Sequence, residues 1–299
     1  MEKFSNWRDK GTGISPFLPA PVPSVNPVTR FVVNPLVVLV KLPILTIVLL
    51  LSLIFPFKAW YQFIAKYLFS FPELNVSVQG FRRGDVKALQ QYSPRPNQLF
   101  FANFISPLDP IFLLLISKVS SWKNVSFLIP STSNEIYLCS MFDAVFFTFQ
   151  SPNSKPARFQ AIIKDINAYV NANPSKVCFY FIEGTTSNNR AVLPLIYPPI
   201  TTTTNSINSR TIMLKLSPQY LTLPIPVVSK FAYLYRLLSL RSQQSLAVFR
   251  IVINEGVSIK ESVVSALLNN SYPLLHHENM SLKSKEAFYK YYIDHKVKA

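Results

Sequence analysis

Apolar runs that break into short polar clusters set the plan of this chain. The first carries Leu99-Phe100-Phe101-Ala102 into the cluster Asn103 to Pro110, and Ile111-Phe112-Leu113-Leu114-Leu115-Ile116 then resumes the apolar pattern at helix length. That is the pattern of a buried strand, a turn and a buried helix. Within the turn Ser106 suits an N-cap, Pro107 the first helical position and Asp109 the place three residues on, so S-P-L-D reads as a capping box. A second run, Val177 to Ile182, ends in Glu183-Gly184-Thr185-Thr186-Ser187-Asn188-Asn189-Arg190, a carboxylate followed by a loop of small donors. A third, Leu223-Pro224-Ile225-Pro226-Val227-Val228, reads as a short strand.

Between these runs the pattern alternates strands and helices. Asn75 to Gly80 alternates like an entry strand and is followed by the basic turn Phe81-Arg82-Arg83-Gly84. Val125 to Pro130 and Val145 to Phe149 read as strands, and Pro156 to Val170 as an amphipathic helix with Ala161, Ile162, Ile166 and Val170 at helical spacing. Thr132 with Glu135 offers a second capping box ahead of Ile136-Tyr137-Leu138. Pro198 to Pro218, with its run of threonines from Thr201 to Thr204, reads as a surface loop, and Ala247 to Ile253 as a late strand. Leu282 to Lys298 reads as a helix with Phe288, Tyr291 and Tyr292 on one face and lysines around it, which suits packing on the domain or lying on anionic lipid. The fold class these elements predict is α/β, a mixed and mainly parallel sheet flanked by helices.

The N-terminal portion follows other rules. Residues 1–30 are polar, Pro-rich and charged and read as a surface arm; the first strongly apolar run begins too late for a cleaved secretory signal, so the arm is expected to be retained. Residues 31–71 are overwhelmingly apolar, interrupted by Pro35, Lys41, Pro43, Pro56, Lys58 and Lys66. A spanning helix wants about 20 apolar residues, and one reaching back to Phe31 would hold Lys41 in hydrocarbon at about 2.5 to 3.5 kcal/mol near the bilayer centre. A hairpin bent near Pro56, with Trp60, Tyr61 and Phe63 at interface depth, avoids that cost and suits a lipid monolayer; a single span and a buried helix pair stay open. The expected organisation is therefore a polar arm over 1–30, a membrane-embedded hairpin anchor over 31–71 and an α/β domain over 72–299.

Composition sharpens this only in part. With 299 residues and 49% hydrophobic content the chain can bury a sizeable core, and a mean hydropathy of +0.24 points to membrane contact. The formal charge of +16 suits an anionic bilayer, a nucleic acid or a polyphosphate ligand equally. No zinc-finger spacing, RNP-like run or basic zipper supports nucleic acid. Cys139 and Cys178 lie in apolar surroundings without a C-x-x-C and read as buried free thiols. Because the chain has only 6 glycines, Gly184 directly after a buried strand is informative.

In their order the three segments resemble the signatures of the glycerolipid acyltransferase family, N-H-x-x-x-x-D, then F-P-E-G-T-R-S, then a short Pro-Ile/Val strand, over roughly Asn75 to Ile253. The opening stretch Met1 to Pro19 narrows the resemblance to fungal members of the endoplasmic reticulum and lipid droplets. The resemblance implies transfer of a long-chain acyl group from acyl-CoA to the sn-2 position of lysophosphatidic acid, giving phosphatidic acid. It implies acyl-CoA as co-substrate with no cofactor or metal, a lysophospholipid acceptor, a membrane or lipid-droplet surface as partner rather than nucleic acid, and a domain facing the cytosol. Asp109 and Ser106 are then the catalytic candidates. Asn103, Glu183, Gly184, Thr185 and Ser187 shape the acceptor pocket and phosphate site, with Arg190 supplying charge. Two positions depart from the pattern. Phe104 stands where the family has its catalytic His, the chain's own His276, His277 and His295 lying near the C-terminus, and Thr186 stands where the family has Arg.

Acyl transfer to a hydroxyl needs a base, worth about 10² to 10⁴ in rate, alignment worth up to about 7 to 11 kcal/mol, and oxyanion donors worth about 10² to 10³ each. Losing the His removes one of these. Asp109 can replace it if burial raises its pKa, Ser106 has no neighbouring His to activate it, and the acceptor's own phosphate monoester, with a second pKa near 6, is a third candidate base. A non-catalytic protein that binds phospholipid or acyl-CoA is the alternative function. Either reading expects the loops after Asn103 and after Ile182 to face each other across one cleft.

Overall fold

The computed structural model describes residues 2–131, 135–152, 154–198, 209–241, 246–252 and 280–296. Strands β1 (Leu74–Val78), β2 (Gln98–Ala102), β3 (Val125–Pro130), β4 (Ile136–Cys139), β5 (Ala161–Ile163), β6 (Val177–Phe181), β7 (Ser209–Ser217) and β8 (Leu246–Val252) form one sheet in the order β1-β8-β7-β2-β6-β3-β4-β5. Pairing is parallel for β1 with β8, β7 with β2, β2 with β6 and β6 with β3, and antiparallel for β8 with β7, β3 with β4 and β4 with β5. The mixed, mainly parallel α/β sheet expected from the sequence is the one found.

Its centre explains the continuous apolar runs, since a parallel sheet is covered on both faces. Alternate side chains of a strand point to opposite faces. Phe100 and Ala102 of β2, Phe179 and Phe181 of β6 and Phe127 of β3 therefore pack with helices α4 (Asp109–Ile116) and α5 (Met141–Phe147). Leu99, Phe101, Leu128, Cys178 and Tyr180 meet Ile166 and Val170 of α6 (Ile166–Ala172) on the other face. Cys139 and Cys178 are buried free thiols, each pushed up to about 12 by burial.

A stretch from Thr29 to Ile54, containing helix α1 (Asn34–Ile54), is 26 residues long and, among the described residues, the one helix long and apolar enough to cross a membrane by length and composition. Phe31, Leu39, Val40, Leu50 and Ile54 are exposed on it, whereas Leu45 and Val48 pack on the domain. Lys41 does not oppose this surface, because its ammonium donates to the Leu68 and Leu240 carbonyls at 2.8 and 3.4 Å. The chain bends after Pro56 into α2 (Lys58–Phe63) as the hairpin reading requires. Tyr61, Ile64, Ala65 and Leu68 of the returning limb are nevertheless buried in the main core. The exposed apolar face thus belongs mainly to the first limb.

Several local readings are corrected. Residues 145–149 are not a strand, since the Ser140–Asp143 capping box starts α5 ahead of them. The helix expected over 156–170 is divided: β5 occupies its middle, and Asp165, accepting from the Asn167 and Ala168 N–H groups, caps α6. Ile136–Cys139 is a strand, and Thr132 lies outside the described residues, as does the threonine run. Residues 223–228 form no strand, as Pro224 and Pro226 remove two ladder donors, and the expected loop before Pro218 contains β7. The N-terminal arm is not detached. Phe4, Trp7 and Phe17 pack against Phe288 of the C-terminal helix α8 (Leu282–Lys296), with ring centroids 5.5 to 5.8 Å apart.

Candidate functional site

Strands β2 and β6 run side by side in parallel, so the loops that leave their C-terminal ends must lie next to each other. This is where open α/β sheets place ligands. The two motif carboxylates meet here on one short piece of backbone. Glu183 Oε1 accepts from the Phe104 N–H at 2.9 Å, while Asp109 Oδ2 accepts from the next two, Ile105 N–H at 2.6 Å and Ser106 N–H at 2.9 Å. Glu183 Oε2 takes the Leu193 N–H at 2.9 Å, and Ser187 hydrogen-bonds the same carboxyl. Both acids are 1% exposed.

Burial dominates their electrostatics. It holds Asp109 well above the ordinary carboxylate range against the two N–H donors, and the charge of Glu183 pushes the same way. Glu183 is raised by burial to about 7, opposed by its three hydrogen-bond donors and by Lys285. Lys285, on α8, is lowered by burial to about 7, and Glu183 opposes that shift.

The remaining candidates fall into three groups. The Ser106 hydroxyl accepts from the Leu108 N–H at 3.1 Å and lies 3.1 Å from Tyr233 Oη, which itself donates to the Leu221 carbonyl. α4 begins at Asp109 with Leu108 at its N-cap and no side-chain cap bond, so Ser106 is not the N-cap expected of S-P-L-D; Ser106 and Asp109 instead hold backbone N–H groups of the turn ahead of the helix. Asn103 extends the β2–β7 ladder by bonding both the N–H and the C=O of Leu214, at 2.7 and 3.0 Å. Its amide is occupied by structure rather than turned to a substrate. Phe104 lies stacked between Phe181, 4.0 Å away, and Phe147, 6.4 Å away.

The loop 184–189 is cross-braced. Gly184 sits at φ +63°, and a Cβ there would come 2.8 Å from the Pro130 carbonyl oxygen. Ser187 N–H donates to the Phe104 carbonyl, Thr186 Oγ1 to that of Leu223, and Asn188 to those of Ser15 and Leu18 in the arm. Arg190 does not join the loop. It is exposed, and its guanidinium meets Gln219 Oε1 at 3.3 and 3.4 Å.

The cation that does reach the loop is one the sequence reading passed over. Lys285 Nζ donates to Thr185 Oγ1 at 2.5 Å and to the Thr186 carbonyl at 2.7 Å, and the residue is 2% exposed. A small pocket opens beside it, lined by Phe147, Thr148, Gln150, Ser151, Pro152, Thr185, Thr186, Pro226 and Lys285. Its wall residue Phe147 is the ring stacked on Phe104 of the β2 turn. A signal for Lys285 existed: it lies three residues before Phe288 and seven before Tyr292, on the aromatic stripe and not the polar face.

No family model matches the chain, and no solved structure matches it. Over 263 residues it is 30% identical to lysophosphatidic acid:oleoyl-CoA acyltransferase 1 of Saccharomyces cerevisiae, a match that covers 80% of this chain and 80% of the relative.

Proposed function

The chain belongs to the acyltransferase family of this yeast relative, and from that premise we propose that it transfers a long-chain acyl group from acyl-CoA to the sn-2 hydroxyl of lysophosphatidic acid, giving phosphatidic acid. The similarity across four fifths of both chains carries the reading. The juxtaposed loops after β2 and β6 supply a site consistent with it. The exposed face of α1 provides the anchor to an endoplasmic reticulum or lipid-droplet surface, with Lys41 spared from hydrocarbon by its bonds to Leu68 and Leu240.

In this reading the thioester arrives already activated and its thiolate leaves without much protonation. The protein's part is to align two amphiphiles at the pocket beside Thr185 and Thr186. Asp109, raised by burial, is intrinsically a stronger base than an exposed carboxylate, but it is 1% exposed and its Oδ2 is held by two backbone N–H groups of the turn. The acceptor's phosphate monoester is the other candidate base. The purified full-length protein in neutral micelles, given oleoyl-CoA and lysophosphatidic acid, is expected to release CoA in step with phosphatidic acid, and more slowly with lysophosphatidylcholine, whose diester cannot take the proton.

One observation favours a second reading, a non-catalytic lipid-binding member. Phe104, at the position where the family pattern has His, is sealed in an aromatic stack, and the one histidine among the described residues, His295, is exposed at the end of α8. Lipid binding with no CoA release would decide for it.

A further inference from the structure

Lys285 is the least economical residue in the fold unless it meets an anion. A buried ammonium is costly without a paired charge, yet Lys285 makes no ion pair within 4 Å among the described residues. Its hydrogen-bond acceptors are all neutral, Thr185 Oγ1, the Thr186 carbonyl and, at 3.3 Å, Thr186 Oγ1. The nearby carboxylate, Glu183, has both oxygens engaged by backbone N–H groups. The ammonium nevertheless lines a pocket next to the E-G-T loop, in the company of groups that can donate to phosphate oxygens, the Ser151 hydroxyl and the Gln150 carboxamide. A lysine serves such a ligand as a point charge with three rotatable donors.

We infer that Lys285, reaching in from the C-terminal helix, is the cation that holds a substrate phosphate group at this pocket, the task the sequence pattern would give to an arginine of the loop. Two substrates of the proposed reaction carry such a group, the lysophosphatidic acid headgroup and CoA, and the inference rests on that reaction only for the identity of the phosphate. Burial already holds the lysine near the point of losing its proton, so a dianion entering the pocket restores the charge and supplies the ion pair that the described residues do not. The N-terminal arm belongs to the same device, since Phe4, Trp7 and Phe17 clasp the helix segment around Phe288, one turn beyond Lys285.

The test uses full-length protein in neutral micelles, titrated with lysophosphatidic acid, with monoacylglycerol as the phosphate-free control and with acyl-CoA. Lys285→Met is expected to weaken binding of one phosphate-bearing ligand by about 10- to 100-fold, leave monoacylglycerol binding unchanged, and melt no lower than the wild type. Lys285→Arg is expected to retain most of the affinity. The weakened ligand identifies the source: lysophosphatidic acid for the headgroup, acyl-CoA for the nucleotide. Ser151→Glu, at an exposed pocket position that puts no fold at risk, is expected to weaken the same ligand and no other. Unchanged affinities for both phosphate ligands in Lys285→Met or, should that variant not fold, in Ser151→Glu overturn the inference. Lysine-dependent binding with no acyl transfer by the wild type overturns the enzyme reading and leaves this one standing; acyl transfer with both KM values unmoved by the substitutions does the reverse.

Discussion

Replacing Glu183 by Gln separates a structural joint from a chemical group, because its two oxygens tie three segments together: the β2 turn through Phe104, the β6 exit on which Glu183 itself sits, and the returning strand of loop at Leu193. A glutamine keeps one acceptor oxygen and turns its NH₂ towards the other backbone N–H, leaving that donor without a partner at about 1 to 3 kcal/mol. The wild-type acid carries a different burden. Its folded pKa, about 7, lies above the ordinary 4.5, so folding favours its protonated form. A raised folded pKa gives stability that is fully present below about pH 4.5 and is lost as pH climbs through about 7, an amount of roughly 3 kcal/mol at 1.36 kcal/mol per unit. The glutamine has no such slope. At pH 5 the variant should therefore be less stable than the wild type by about 1 to 3 kcal/mol, and by pH 8 the gap should close or invert. Urea unfolding in micelles at pH 5, 6, 7 and 8, followed by tryptophan fluorescence, reads both quantities. A gap that stays constant across this range would refute the titration argument, and equal stability at pH 5 would refute the joint.

Three further outcomes follow from the same geometry. Gly184→Ala forces a side chain into a left-handed backbone conformation and against the Pro130 carbonyl, so its urea midpoint should report a loss of about 2 kcal/mol or more; a wild-type midpoint would mean the loop can reshape. Arg190→Ala should leave the acceptor KM within about twofold and stability within about 0.5 kcal/mol, because the guanidinium is exposed and bonded only to Gln219 in this region; a tenfold rise in KM would return Arg190 to the phosphate site. Phe17→Ala removes a fully buried ring from the arm cluster, at about 3 to 5 kcal/mol, and should make residues 1–18 the first point of proteolytic attack, whereas an unchanged digestion pattern would mean that the Phe4 and Trp7 contacts and the Asn188 bonds suffice to hold the arm.

What the sequence discloses here is what burial on two faces enforces. β2, β3 and β6 are central strands and read as unbroken apolar runs, and the loops they lead into are marked by residues with few other reasons to be there, Ser106-Pro107 and Glu183-Gly184. Edges are less legible. β5 and α6 share a stretch with helical spacing throughout, and only the Asp165 cap divides them, a competition between local hydrogen bonding and periodicity that apolar spacing does not register. β7 has a buried apolar run of its own, Ile212, Met213, Leu214 and Leu216, which the threonine-rich residues ahead of it and Pro218 behind it masked as part of a loop. Lys285 was missed for a related reason. A lysine near the end of a basic helix reads as solvated, and its place on the aromatic stripe gains weight only once the arm is seen to pack on that face.

The same geometry narrows where the chemistry of this site can lie. The three consecutive N–H groups of Phe104, Ile105 and Ser106 sit where a turn between strand and helix would ordinarily offer donors to a developing oxyanion, but each is already bonded to a carboxylate oxygen of Glu183 or Asp109. A reacting carbonyl placed there would have to displace a buried carboxyl from its donors, which offsets what an oxyanion contact returns. The two acids are thus better placed to hold the turn rigid than to receive substrate on it. The more open polar groups are those of Gln150 and Ser151 around the pocket that Lys285 lines, one aromatic ring removed from Phe104. In the proposed reaction, with no histidine among the described residues of this site, rate enhancement would come mainly from aligning the thioester with the acceptor hydroxyl and from charge brought by the acceptor itself.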